Sequence, residues 1–78
     1  MPWSSHLTSP IPLKDGRVLL TLRHAADLFL SFGEAIQRHD WNVYAAELLI
    51  EAAKDGSPRT IEAATRQVQR ALFREGMV

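Results

Sequence analysis

Apolar positions are densest between residues 40 and 56, DWNVYAAELLIEAAKDG, where Trp41, Tyr44, Ala45, Leu48, Leu49 and Ala52 recur at the three- and four-residue spacing of one helical face. Val43, Ala46, Ile50 and Ala53 form a second stripe beside the first, leaving Asp40, Glu47, Glu51 and Lys54 for water. So wide an apolar surface needs neighbours on more than one side. This segment is therefore expected to be a central, buried helix with the rest of the chain packed around it.

Upstream the pattern is shorter in period. Residues 1–10 carry no periodicity and are rich in Ser and Thr, which predicts a flexible N-terminal arm. Within it, Trp3 either caps the edge of the core or sits free, the cap being the structural expectation. Residues 11–20 read as a β-hairpin, IPLK and RVLL around Asp15-Gly16, because Asp-Gly suits a type I′ turn with φ > 0 at both central residues. That turn would pair Lys14 with Arg17, Leu13 with Val18 and Ile11 with Leu20, the last two pairs on one face. Pro12 has no N–H for the ladder, so its strand is expected at an edge.

Thr21 is placed to cap the next helix, LRHAADLFLSF, whose Leu22, Ala25, Ala26, Phe29 and Phe32 share a face and whose stop is expected at Gly33. Residues 33–39 read as a loop or one short turn returning Ile36 to the core, with Asp40 capping the central helix. Gly56 suits a left-handed stop, and Ser57-Pro58 combines a cap with proline at the first helical position. So short a joint predicts an antiparallel αα-hairpin. The last helix, 58–75, turns Ile61, Ala64, Val68, Ala71 and Leu72 inward. Gly76 ends it, and Met77 and Val78 either fold back as a hydrophobic stop or pack against a partner chain. The expected fold is α+β: an N-terminal antiparallel β-hairpin followed by three α-helices, the last two an αα-hairpin, in one compact domain over residues 11–78.

Composition narrows the partners. A chain of 78 residues with no cysteine builds a small core without disulfide staples, and self-association is a common remedy, so a homodimer is expected. Nine Lys and Arg balance nine Asp and Glu, so no global field draws the chain to nucleic acid or anionic lipid. No apolar run approaches a membrane span, the opening MPWSSHLTSP lacks the layout of a signal peptide, and cysteine is absent; together these predict a cytoplasmic protein without a membrane partner.

One surface motif stands out. At 100° per residue, Arg59, Arg66, Arg70 and Arg74 fall within an arc of about 80° on the last helix, close to Glu62. Such a column could clamp carboxylates of a partner or follow a phosphate backbone, since each guanidinium offers a planar fork of donors. The plainer readings are a solvated face with a Glu62–Arg66 pair, or arginines set against Asp40, Glu47, Glu51 and Asp55 within the chain or across a dimer. His6, His24 and His39 are too scattered for a local metal-ligand pair. The Ser and Thr hydroxyls fall in the arm or at helix caps, and the four glycines stand singly, without a phosphate loop. No cofactor or metal is expected.

Taken together, the hairpin, LRHAADLFLSF, AAELLIEAAKDG and EAATRQVQRALFREGMV resemble the domain-of-unknown-function 982 family of small rhizobial proteins, from about residue 11 onward. The chain departs from that family at Phe32-Gly33, where a Trp-Pro is expected, and in having no cysteine in the central helix. The resemblance implies a compact α+β domain and carries no activity. The functional expectation is a noncatalytic interaction or regulatory domain acting as a homodimer; the alternative is a nucleic-acid-binding protein that uses the arginine column.

Overall fold

A 3₁₀ turn at Pro2–Ser4 leads into β1 (His6–Pro12), β2 (Val18–Thr21), α1 (Leu22–Leu30), α2 (Glu34–Gln37), α3 (Asp40–Asp55) and α4 (Pro58–Arg74), in a computed structural model that describes residues 2–78. The α+β order is as expected, and of the two readings of residues 33–39 the single short turn forms, as α2. α3 and α4 pack along each other as an αα-hairpin, α4 rests on β1, and α1 bridges β2 and α3. The result is two layers around one core, in which Ile11, Leu22, Leu49, Val68 and Leu72 are fully buried. Small side chains at Ala45, Ala52, Ala64 and Ala71 are wholly enclosed, which suits close approach of helix axes.

Two of the three caps read from the sequence form, at Thr21 and Ser57. The Thr21 hydroxyl accepts from the His24 N–H at 3.1 Å, and the Ser57 hydroxyl accepts from the Thr60 N–H at 3.3 Å. Gly56 takes the left-handed conformation, φ 69°, that ends α3. After α4, Gly76 is also left-handed and the Met77 N–H donates back to the Leu72 carbonyl at 2.9 Å. Met77 and Val78 thus fold onto the core, and the Met77 carbonyl accepts from Lys14 N–H at 2.8 Å, which ties the C-terminus to the hairpin loop.

The hairpin register differs from the expected one. Only Gly16 has φ > 0, at 95°, whereas a type I′ turn would need Asp15 there as well. Asp15 instead accepts from the Arg17 backbone N–H at 2.9 Å and from its guanidinium at 2.7 Å, bonds that hold its carboxyl below the usual range. The Leu13 carbonyl accepts from Gly16 N–H and the Leu13 N–H donates to the Arg17 carbonyl, making a three-residue loop. One extra loop residue moves the register by one, so Ile11 pairs with Leu19 and Pro12 with Val18. Leu19 turns inward, and Val18 and Leu20 face out.

Residues 6–10, assigned to an arm by their lack of period, are strand; Met1, the first residue of that arm, lies outside the described residues. β1 advances from His6 to Ile11 while β2 advances only from Thr21 to Leu19, so β1 bulges around Thr8–Pro10 and its alternation is broken. The Thr8 N–H, deprived of a ladder partner, donates to the buried Thr65 hydroxyl of α4 at 3.1 Å, and that hydroxyl donates to the Ile61 carbonyl at 2.8 Å. Trp3 is half-buried against the core, as a cap. Two further expectations are corrected. Gly33 stands before α2 with extended backbone and does not stop α1, which ends two residues earlier at Ser31; the residue before α3 is His39, whose side chain makes no capping bond, so Asp40 is already helical. Ile36 returns only part of the way to the core and stays 39% exposed.

Thr65→Val keeps the shape of the buried side chain and removes the acceptor of the Thr8 N–H. A loss of about 1–2 kcal/mol is expected, read in thermal melts as a fall of roughly 4–8 °C per kcal/mol for a domain of this size. An unchanged melting temperature would show that the bulge is satisfied by other means.

Candidate functional site

All four arginines of the column, Arg59, Arg66, Arg70 and Arg74, are exposed on α4, opposite its buried face. Arg66 pairs with Glu62 one turn back at 3.0 Å, on an open surface where such pairs contribute a few tenths of a kcal/mol. Arg74 lies over the Trp41 ring at 5.2 Å, a cation–π contact between the end of α4 and the start of α3. Among the described residues no ion pair joins the arginines to α3, although its acids Asp40, Glu47, Glu51 and Asp55 are exposed as well. The αα-hairpin therefore carries an acidic row on one helix and a basic row on the other.

The central helix is less covered than its sequence suggests. Ala45, Leu49, Ala52 and Ala53 are buried, but Val43 is 42%, Ile50 47% and Tyr44 52% exposed. α4 packs on one flank, α1 with the 3₁₀ turn on another, and α2 also meets α3; the exposed apolar residues lie between these contacts, Val43 with Ile50 on one side and Tyr44 about 100° away. Phe73 on α4 is exposed too, at 71%.

A polar cluster that sequence reasoning missed joins the two ends of the hairpin. Glu75, the residue that closes α4, has a side chain only 12% exposed. Its Oε2 accepts from His39 Nδ1 at 2.6 Å, from Trp41 Nε1 at 2.8 Å and from Asn42 Nδ2 at 2.8 Å. Burial alone would raise the carboxyl pKa; the three donors and the nearby imidazole outweigh it, and the net shift is downward from 4.5. Because a carboxylate only accepts, His39 donates from Nδ1, on a ring that is partly exposed. Asn42 is buried and also donates to the Ile36 carbonyl at 2.8 Å, while its Oδ1 has no partner. Gln67 Nε2 adds a bond to the Trp41 carbonyl at 3.3 Å. The available signal was Asn42 itself, a polar residue in register with Ala45, Leu49 and Ala52 on a buried stripe.

Two clefts bear on chemistry. One, of about 380 Å3 beside β2 and α1, brings together Arg17, His24, Asp27 and Ser31. Its His24 and Ser31 are already engaged: His24 Nδ1 accepts from the Leu20 N–H at 3.1 Å, and the Ser31 hydroxyl donates to the Leu28 carbonyl at 2.6 Å. The imidazole lone pair that a general base needs is thus occupied. The other, of about 180 Å3 between α1 and α3, is apolar, bounded by Trp3, Phe29, Leu30 and Ile50; it is smaller than the ~300–1,000 Å3 of ordinary ligand pockets. Neither cleft is lined by His39 or Glu75. Among the described residues no group of three or more His, Cys, Asp or Glu could hold a metal ion, and no helix is long and apolar enough to cross a membrane.

Comparison with protein-family models, curated proteins and solved structures returns no match. The roles of these side chains follow from their own chemistry.

Glu75→Gln keeps the shape and removes the charge. Since the folded-state pKa lies below the ordinary value, the charged carboxylate stabilises the fold above pH 4.5, and this contribution is lost as pH falls through the lowered folded-state value. The substitution is expected to cost about 1–3 kcal/mol near neutral pH, with the gap from wild type closing as acid protonates Glu75. A gap that is the same in neutral and strongly acidic buffer would contradict the assignment.

Proposed function

We propose that this chain is a noncatalytic interaction module that works as a homodimer in the cytoplasm. The observation that carries the proposal is the apolar exposure of α3, where Val43 and Ile50 on one side, and Tyr44 about 100° around the helix, stand roughly half exposed on the helix that is richest in apolar residues. A single exposed apolar side chain is ordinary, but several on one helix mark a surface that gains by being covered. The absence of catalysis is supported by the engagement of His24 and Ser31 with the backbone in the polar cleft. Glu75 is likewise bound to three donors and has little freedom to act as an acid or base.

A nucleic-acid reading draws on Arg59 and Arg70, which make no ion pair among the described residues. The acidic row on the adjacent helix and the zero net charge disfavour a polyanion on that face.

Sedimentation equilibrium of the full chain at micromolar concentration tests the proposal. A dimer is expected, and a strict monomer over the accessible concentration range would overturn it.

A further inference from the structure

The two charged rows on the αα-hairpin are complementary to themselves. α3 and α4 are antiparallel neighbours, so the start of α3 lies level with the end of α4 and Gly56 joins their other ends. Helical periodicity turns the acids of α3 and the arginines of α4 away from the buried faces of their helices. At 1.5 Å per residue, Glu47 stands level with Arg66, and Asp40 with Arg74. The rows do not neutralise each other within the chain: among the described residues no arginine of α4 pairs with an acid of α3, and the pair that joins the ends of the two helices is His39–Glu75.

We propose that a second copy of this chain docks on this face through a two-fold axis running along the helices, making a four-helix bundle of two stacked αα-hairpins. The inference rests on the reading of the chain as a homodimer and adds the surface and the pairing. Of the exposed apolar residues of α3 this face takes in Tyr44, while Val43 and Ile50, about 100° around the helix, stay outside it. Rotation about an axis parallel to the helices preserves height and exchanges left for right. The acidic row of each copy then meets the arginine row of the other, twice over, as an isologous interface requires. Glu47 meets the partner's Arg66 and Asp40 meets the partner's Arg74, while Tyr44 lies between the rows and contributes its exposed ring. Arg66 would exchange or share its exposed pairing with Glu62, which is weak enough to yield. Helices of 16 and 17 residues are about 25 Å long, so the paired face offers about 500 Å2 on each copy, near the roughly 1,000 Å2 total of the smallest specific interfaces. Complementary charge then sets the partner and the register, with Tyr44 supplying apolar contact.

The test is a charge swap read by sedimentation. One variant carries Arg66→Glu and Arg70→Glu, which reverses the middle of the basic row; the other carries Glu47→Arg and Glu51→Arg, which reverses the middle of the acidic row. Each alone is expected to raise the dimer dissociation constant by roughly tenfold or more, and an equimolar mixture is expected to restore a dimer that contains one chain of each. A misfolded variant could not recombine in this way, so the mixture also controls for folding. If wild type is dimeric and both variants remain as tightly dimeric, the face is wrong and the homodimer stands. Should both variants be monomeric and their mixture remain so, the pairing of rows is overturned. A monomeric wild type overturns the face and the homodimer together, and if that monomer also retards a duplex oligonucleotide, the arginines serve a polyanion instead.

Discussion

The hairpin of α3 and α4 is held shut at its open end by one carboxylate. At the other end two residues, Gly56 and Ser57, join the helices covalently. At this end Glu75 gathers donors from His39, Trp41 and Asn42, and Arg74 lies over the Trp41 ring. A charge this little exposed is tolerable only because it is hydrogen-bonded, and its donors come from residues 39–42 at the start of α3. The clasp fixes how α3 lies along α4, and through that the relation between the acidic and basic rows.

Packing and clasp divide the work. Alanines at the α3–α4 contact allow close approach but define position weakly, because small apolar faces can slide with little change in buried area. A carboxylate with three donors tolerates no such slide. Thr65 does the same for the other layer, where its hydroxyl holds the bulged strand against α4. These two polar contacts specify the arrangement that hydrophobic burial drives.

What could be read from the sequence follows from how local the cause was. Thr21 and Ser57 cap helices, and Gly56 and Gly76 reverse the chain, for reasons contained within four or five residues, and all four act as expected. The hairpin turn is local too, yet a carboxylate bond from Asp15 to Arg17 selected a three-residue loop and shifted the register by one. Strand β1 was hidden because its bulge is satisfied by Thr65, 57 residues away in sequence. Glu75 and His39 were illegible as a pair for the same reason, being 36 residues apart and meeting only once the hairpin has closed. The apolar breadth of α3 predicted cover on several sides. Its exposed Tyr44 and Ile50 indicate that a chain of this size does not supply that cover alone. The arginine column was visible in the periodicity of α4, but its meaning depends on the acidic row that the fold places beside it.

The clasp is open to direct measurement. Titration of the Glu75 side-chain carboxyl by carbon NMR in the folded protein should give a midpoint below the ordinary 4.5, because its three donors outweigh the cost of burial. A midpoint at or above that value would mean that the donors do not hold the charge, and the account of how α3 is fixed against α4 would fail.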